Sequence, residues 1–89
     1  MDFKDLSYVI AIAKTQNITK AADMLYVTQP TLTKFLQNLE REMGQKLLKK
    51  LGNRFVLTYA GERYVAKATE ILNLKKELDQ EMGDIIRQN

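Results

Sequence analysis

The stretch TQPTLTKFLQNLEREMG, Thr28 to Gly44, constrains the fold more than any other part of the chain. The Thr28 hydroxyl can cap free N–H groups at a helix start, and Pro30 falls in the first turn, where its missing N–H costs nothing. Leu32, Leu36, Leu39 and Met43 then recur at the spacing of one helix face, and Gly44 supplies a C-terminal stop. Thr33, Lys34, Gln37 and Arg41 fall on the opposite face, joined near the start by Gln29 and Pro30. Phe35 lies on the border, open to a core or an exposed reading. A helix with one apolar stripe has to lay that stripe on other elements, so the remaining chain must supply a cover and leave the polar face free.

The preceding segment supplies two helices. Phe3, Leu6, Ile10 and Ala13 share one face of a helix expected over about Asp2–Thr15, with Asp2 and Asp5 in the first turn, where the dipole favours acids. Gln16-Asn17 interrupts the pattern, and Asn17 is suited to cap a short second helix, ITKAADML, with Ile18, Ala21, Ala22 and Leu25 inward. The Ala21-Ala22 pair keeps bulk out of a helix crossing.

After Gly44 the period changes. KLLKK and RFVLT are short, partly alternating runs separated by Leu51-Gly52-Asn53, which predicts a small hairpin turning at Gly52-Asn53, with Lys49, Lys50 and Arg54 near its tip. Thr58 can cap a final helix from about Tyr59 to Arg87. Tyr64, Ala68, Ile71, Leu78, Met82 and Ile85 recur along it near heptad spacing, interrupted by Lys75 and Asp79. A helix of that length exceeds what a small domain needs and predicts packing along a second helix, as a dimerising element more than a strict coiled coil.

Composition narrows function mostly by exclusion. The chain has 89 residues, 45% of them apolar and 28% charged, room for one small core and not for a second. With neither cysteine nor histidine, disulfides, thiolate nucleophiles and the usual zinc ligands are missing, and no metal or cofactor is expected. Apolar runs are short, so no membrane partner is expected and a cytoplasmic location is the default. The net charge of +3 is unevenly placed: residues 14 to 67 carry ten Lys and Arg against four Asp and Glu, a local balance of +6. That distribution fits a polyanion-binding surface or a solvated basic face equally well.

Two helices joined by the turn Leu25-Tyr26-Val27, the second presenting a polar face, match a helix-turn-helix. Thr, Gln, Lys and Arg are side chains that read base edges or hold phosphates in a major groove. The run from Asn17 to Val65 resembles the winged helix-turn-helix of LysR-type transcriptional regulators. The matching elements are Ala21-Ala22, Leu25, Thr28-Gln29-Pro30, Thr33, Leu39-Glu40, Met43-Gly44, Leu47-Leu48, Leu57-Thr58 and Ala60-Gly61.

The resemblance implies a mainly α fold: a winged helix-turn-helix with a three-helix core and a two-stranded wing over 1–58, then a linker helix for dimerisation over 59–89. It also implies a dimeric regulator binding double-stranded promoter DNA. The recognition helix, about 29–43, would enter the major groove, and the wing, about 47–57, would meet the backbone or minor groove. Thr28, Gln29, Pro30, Thr31, Thr33, Lys34, Gln37, Lys50 and Arg54 are the DNA-binding candidates; Tyr64, Ala68, Ile71, Leu78, Met82 and Ile85 are the dimerisation candidates. Regulators of this kind carry a C-terminal effector-binding domain, through which they form tetramers, and this chain is expected to lack it. Lys50 stands where the family often has arginine, which keeps the charge and loses the planar fork. The competing class is a winged-helix module that binds a protein through its long helix, with an incidental basic face. Catalysis is the poorest fit, because no nucleophile–base pair, paired carboxylates or phosphate-cradling glycine loop is present.

Overall fold

The computed structural model describes residues 1–88. In chain order the elements are α1 (Phe3–Thr15), α2 (Ile18–Leu25), α3 (Gln29–Met43), β1 (Leu48–Leu51), β2 (Arg54–Leu57) and α4 (Tyr59–Gln88). The first three helices build the core, β1 and β2 form a two-stranded antiparallel ribbon, and α4 runs back across α1 before extending beyond it. The molecule measures 54 × 25 × 20 Å, the long axis reflecting a thirty-residue helix.

Each helix starts at a side-chain cap. Asp2 lies outside α1 and accepts the Asp5 N–H at 3.0 Å, while the Asp5 carboxylate accepts the Asp2 N–H, a reciprocal box that begins the helix at Phe3, one residue later than expected. The box also holds the Asp2 carboxyl below its usual value, chiefly through the hydrogen bond from the Asp5 backbone. Asn17 accepts the Lys20 N–H at 2.9 Å, Thr28 the Thr31 N–H at 3.3 Å, and Thr58 the Gly61 N–H at 3.0 Å. Gln16, Tyr26 and Gly44 close α1, α2 and α3 in the left-handed region. Tyr26 takes that conformation with its side chain almost wholly in solvent, 96% exposed.

The core departs from the expected stripes in two places and decides a third position that was open. In α1 the buried residues are Leu6, Val9, Ala11 and Ile12; Phe3 is exposed, and Ile10 and Ala13 are half-buried at the margin. The chain offers two overlapping stripes with similar spacing, and the crossing of α1 by α2 and α4 selects the one through Val9 and Ile12. At the end of α3, Met43 is exposed, because the helix has run past the body of the core. Phe35 is settled as a packing residue: it joins both core clusters and meets the Tyr8 ring edge-on, centroids 5.0 Å apart at 77°.

In the ribbon Leu48 pairs with Leu57, Lys49 with Val56, Lys50 with Phe55 and Leu51 with Arg54, so Leu51 belongs to the strand and the turn is Gly52-Asn53. Its root is tied on both sides. The Phe55 N–H donates to the Gln16 carbonyl at 2.9 Å, and the Thr58 N–H donates to the Leu47 carbonyl at 3.0 Å. Gly61 permits α4 to approach that same carbonyl, where a Cβ would have no room.

Candidate nucleic-acid interface

The α3 surface is divided as its sequence divides it. Leu32, Leu36 and Leu39 are buried, while Gln29, Pro30, Thr31, Lys34 and Gln37 are exposed and Thr33 is half-buried at the edge. Three leucines anchored in the core fix the helix rotation, so the polar side chains have one direction in which to point.

The polar face is organised within itself. Gln29 Nε2 donates to Thr33 Oγ1 at 3.1 Å, one turn along the helix, which holds two of the candidate readers side by side. Thr28 and Thr31 are engaged at the cap: the Thr28 hydroxyl accepts the Thr31 N–H and donates to Thr31 Oγ1 at 2.8 Å. Their hydroxyls therefore first serve the helix start. Arg41 Nη1 donates to Asn38 Oδ1 at 2.9 Å, further along the helix.

A groove runs between α3 and the wing. Thr33, Gln37 and Glu40 line it from the helix, and Lys46, Lys49, Lys50 and Phe55 from the other side. Lys46 pairs with Glu40 at 3.6 Å, so Lys49 and Lys50 leave the channel net positive next to the candidate readers. The ladder register separates the two wing candidates. Lys50 shares the ribbon face of Leu48, Phe55 and Leu57, which turns toward the core, whereas Arg54 shares the opposite face with Lys49, Leu51 and Val56. Lys50 thus stands by α3 and Arg54 at the outer edge. Lys46 also lines the channel and is not among the residues the motif marks; its place just before β1, after the α3 stop, is the sequence feature that points to it.

On α4, Ile71, Leu78, Met82 and Ile85 are exposed, together with Leu74 and Ile86. Tyr64 and Ala68 are placed differently. Tyr64 packs on the Val9, Leu39 and Leu47 cluster with its hydroxyl donating to Met1 Sδ at 3.3 Å, and Ala68 is fully buried. Within the single chain Tyr64 is half-buried and Ala68 buried, unlike the exposed candidates from Ile71 onward. Burial, with the nearby Asp5 charge adding to it, pushes the Tyr64 hydroxyl up to about 12.

Residues 3–62 match the family described as bacterial regulatory helix-turn-helix protein, lysR family. The chain belongs to the LysR family. Among curated relatives it is 37% identical over 84 residues to the uncharacterized HTH-type transcriptional regulator YcgK of Bacillus subtilis, covering 94% of this chain and 26% of that protein. It is 42% identical over 74 residues to the HTH-type transcriptional regulator BudR of Raoultella terrigena, covering 83% of this chain and 26% of that one. The chain therefore spans about a quarter of the length of these LysR-family relatives.

Among solved structures, the DNA-binding domain of BenM in complex with benA site 1 DNA aligns over 96% of this chain and 99% of that one, with 32% identity and a TM-score of 0.90. The CbnR DNA-binding domain–DNA complex aligns over 96% and 98%, with 34% identity and a TM-score of 0.86. The winged helix-turn-helix expected of a LysR-family member is the architecture observed. Among the described residues, no helix is long and apolar enough to cross a membrane.

Proposed function

We propose that this chain binds double-stranded promoter DNA as one half of a dimer within a transcriptional regulator. The observation that carries the reading is the α3 surface: three buried leucines lock the helix while Gln29, Pro30, Lys34 and Gln37 stand free, with Thr33 at their edge. Gln29 and Thr33 read base edges, Gln through paired donor and acceptor groups and Thr through hydroxyl and methyl. Lys34 and Gln37 meet the groove wall. The N-terminal turn, with Thr28, Pro30 and Thr31, approaches a phosphate, which the helix dipole and free N–H groups favour. Lys50, on the inner side of the channel, and Arg54, at the outer edge of the wing, hold the backbone and set register without reading sequence.

The second chain is held through Ile71, Leu78, Met82 and Ile85. Two-fold symmetry then presents two copies of α3 to half-sites about one helical turn, ~34 Å, or a multiple of it apart. The role is binding and not catalysis, in the cytoplasm. The longer regulator adds an effector-binding domain, through which dimers form tetramers.

Substitutions separate readers from anchors. Gln29→Ala and Thr33→Ala each flatten preference among duplex sequences, by on the order of 1–3 kcal/mol at the bases touched. Arg54→Ala weakens all sequences alike. Identical behaviour of the two classes in a panel of point-mutated duplexes would overturn the division.

A further inference from the structure

Glu40 is the one charged side chain buried among the described residues. It sits on the inner side of α3 beside Leu39, three residues before the helix ends. Its Oε2 accepts the N–H of Leu47 at 2.7 Å and of Leu48 at 3.1 Å, and its Oε1 lies 3.6 Å from Lys46 Nζ. Its backbone carbonyl also accepts the Gln45 N–H at 3.2 Å. One residue of α3 thus holds the connecting loop and the first residue of β1 through main chain and side chain together. The side-chain hydrogen bonds from α3 to the wing root, among the described residues, all end on this carboxylate.

A buried carboxylate is costly to desolvate and persists where several donors satisfy it. Here two of the donors are backbone N–H groups at the base of the ribbon, and bonds to an ionised acceptor are short and strong. The far end of that ribbon carries Lys50 and Arg54.

We infer that Glu40 is the positioning residue of the wing: its carboxylate fixes the direction of β1 and β2 relative to the polar face of α3, and so sets where Arg54 falls on DNA. Glu40 itself is buried and touches no nucleic acid. The inference rests on the proposed DNA reading of α3 and the wing. Glu40→Gln keeps the volume and replaces the charged acceptor with a neutral one, so the two N–H bonds weaken and the ribbon swings.

Binding of a duplex to the whole chain, followed by fluorescence anisotropy, gives the test as a double-substitution cycle. In the unmodified chain Arg54→Ala lowers affinity on the order of tenfold; on the Glu40→Gln background the same change costs less than about twofold, because the wing is already misplaced. Lys34→Ala, on α3 itself, costs the same on both backgrounds. An equal cost of Arg54→Ala on both backgrounds overturns the proposal. A chain that binds no duplex at low salt overturns the DNA reading instead, and a second measurement then judges Glu40 alone. The chain has no cysteine, so spin labels at Asn38→Cys and Asn53→Cys report the distance from α3 to the wing tip. A narrow distance distribution is expected, broadening in Glu40→Gln. A broad distribution in the chain that keeps Glu40, or equal widths with and without it, overturns the proposal.

Discussion

Two glycines on α4 respond to the same substitution with opposite signs. A Cβ built at Gly61 overlaps the Leu47 carbonyl oxygen and stands 2.9 Å from its carbon and 3.0 Å from Leu57 Cδ2. The first obstacle is backbone, which has no rotamer to yield, and a comfortable contact requires about 3.5 Å. Moving α4 away by more than an ångström disrupts the Thr58 N–H bond to Leu47 and the 2.7 Å bond from Thr58 Oγ1 to the Lys46 carbonyl. At about 1 kcal/mol each, these bonds account for roughly 2 kcal/mol. Overpacking adds about 2 kcal/mol, and the better helix propensity of alanine returns about 1 kcal/mol. Gly61→Ala is therefore expected to lose about 3 kcal/mol, which lowers the melting temperature of a chain this size by roughly 15 °C.

At Gly83 a Cβ meets only the far end of the flexible Arg87 side chain, 3.5 Å away. Gly83→Ala keeps the propensity gain of about 1 kcal/mol and should melt roughly 5 °C higher. Circular dichroism melts at one fixed protein concentration compare the three proteins, because association raises the apparent midpoint. A Gly61→Ala chain that melts at or above the unmodified one would refute the close approach of α4 to Leu47.

Two further predictions concern Tyr64 and the outer half of α4. Because Tyr64 ionises near 12 in the folded chain and near 10.0 unfolded, its contribution to stability is complete below pH 10.0 and is lost as the pH climbs toward 12. Denaturation midpoints should fall across that window, and Tyr64→Phe should remove the Tyr64 share of the slope; an unchanged slope would contradict the assigned burial. Ile71→Glu and Leu78→Glu place charges on positions 42% and 54% exposed in the single chain, so folding should survive. Sedimentation should nonetheless show monomers, with affinity for a two-half-site duplex down on the order of a hundredfold. An unchanged sedimentation coefficient would remove Ile71 and Leu78 from the interface.

The features legible in the sequence were those whose causes are local. Asn17, Thr28 and Thr58 cap helices because a short polar side chain reaches an N–H three residues on, a relation visible in the sequence itself. Gly44 and Gly52 mark turns through positive φ, which glycine adopts without a Cβ clash. The leucine stripe of α3 is legible because its spacing admits one solution. In α1 it admits two, and only the arrival of α2 and α4 decides that Val9 and Ile12 face inward instead of Ile10 and Ala13. Tyr64 and Ala68 fit a heptad, yet the same periodicity serves packing on α1, and periodicity does not say which partner a stripe meets. Glu40 falls within the matching motif, but its bonding role is not legible there, because its partners are backbone N–H groups seven and eight residues away, which carry no side-chain signature.

Anisotropy of a labelled duplex, titrated with the chain at a series of salt concentrations, tests the central claim most directly. With Lys50 and Arg54 each neutralising one phosphate, the logarithm of affinity should fall linearly with the logarithm of salt, with a slope of about −2 for each bound copy. Absence of binding at low salt, or an affinity indifferent to salt, would contradict it.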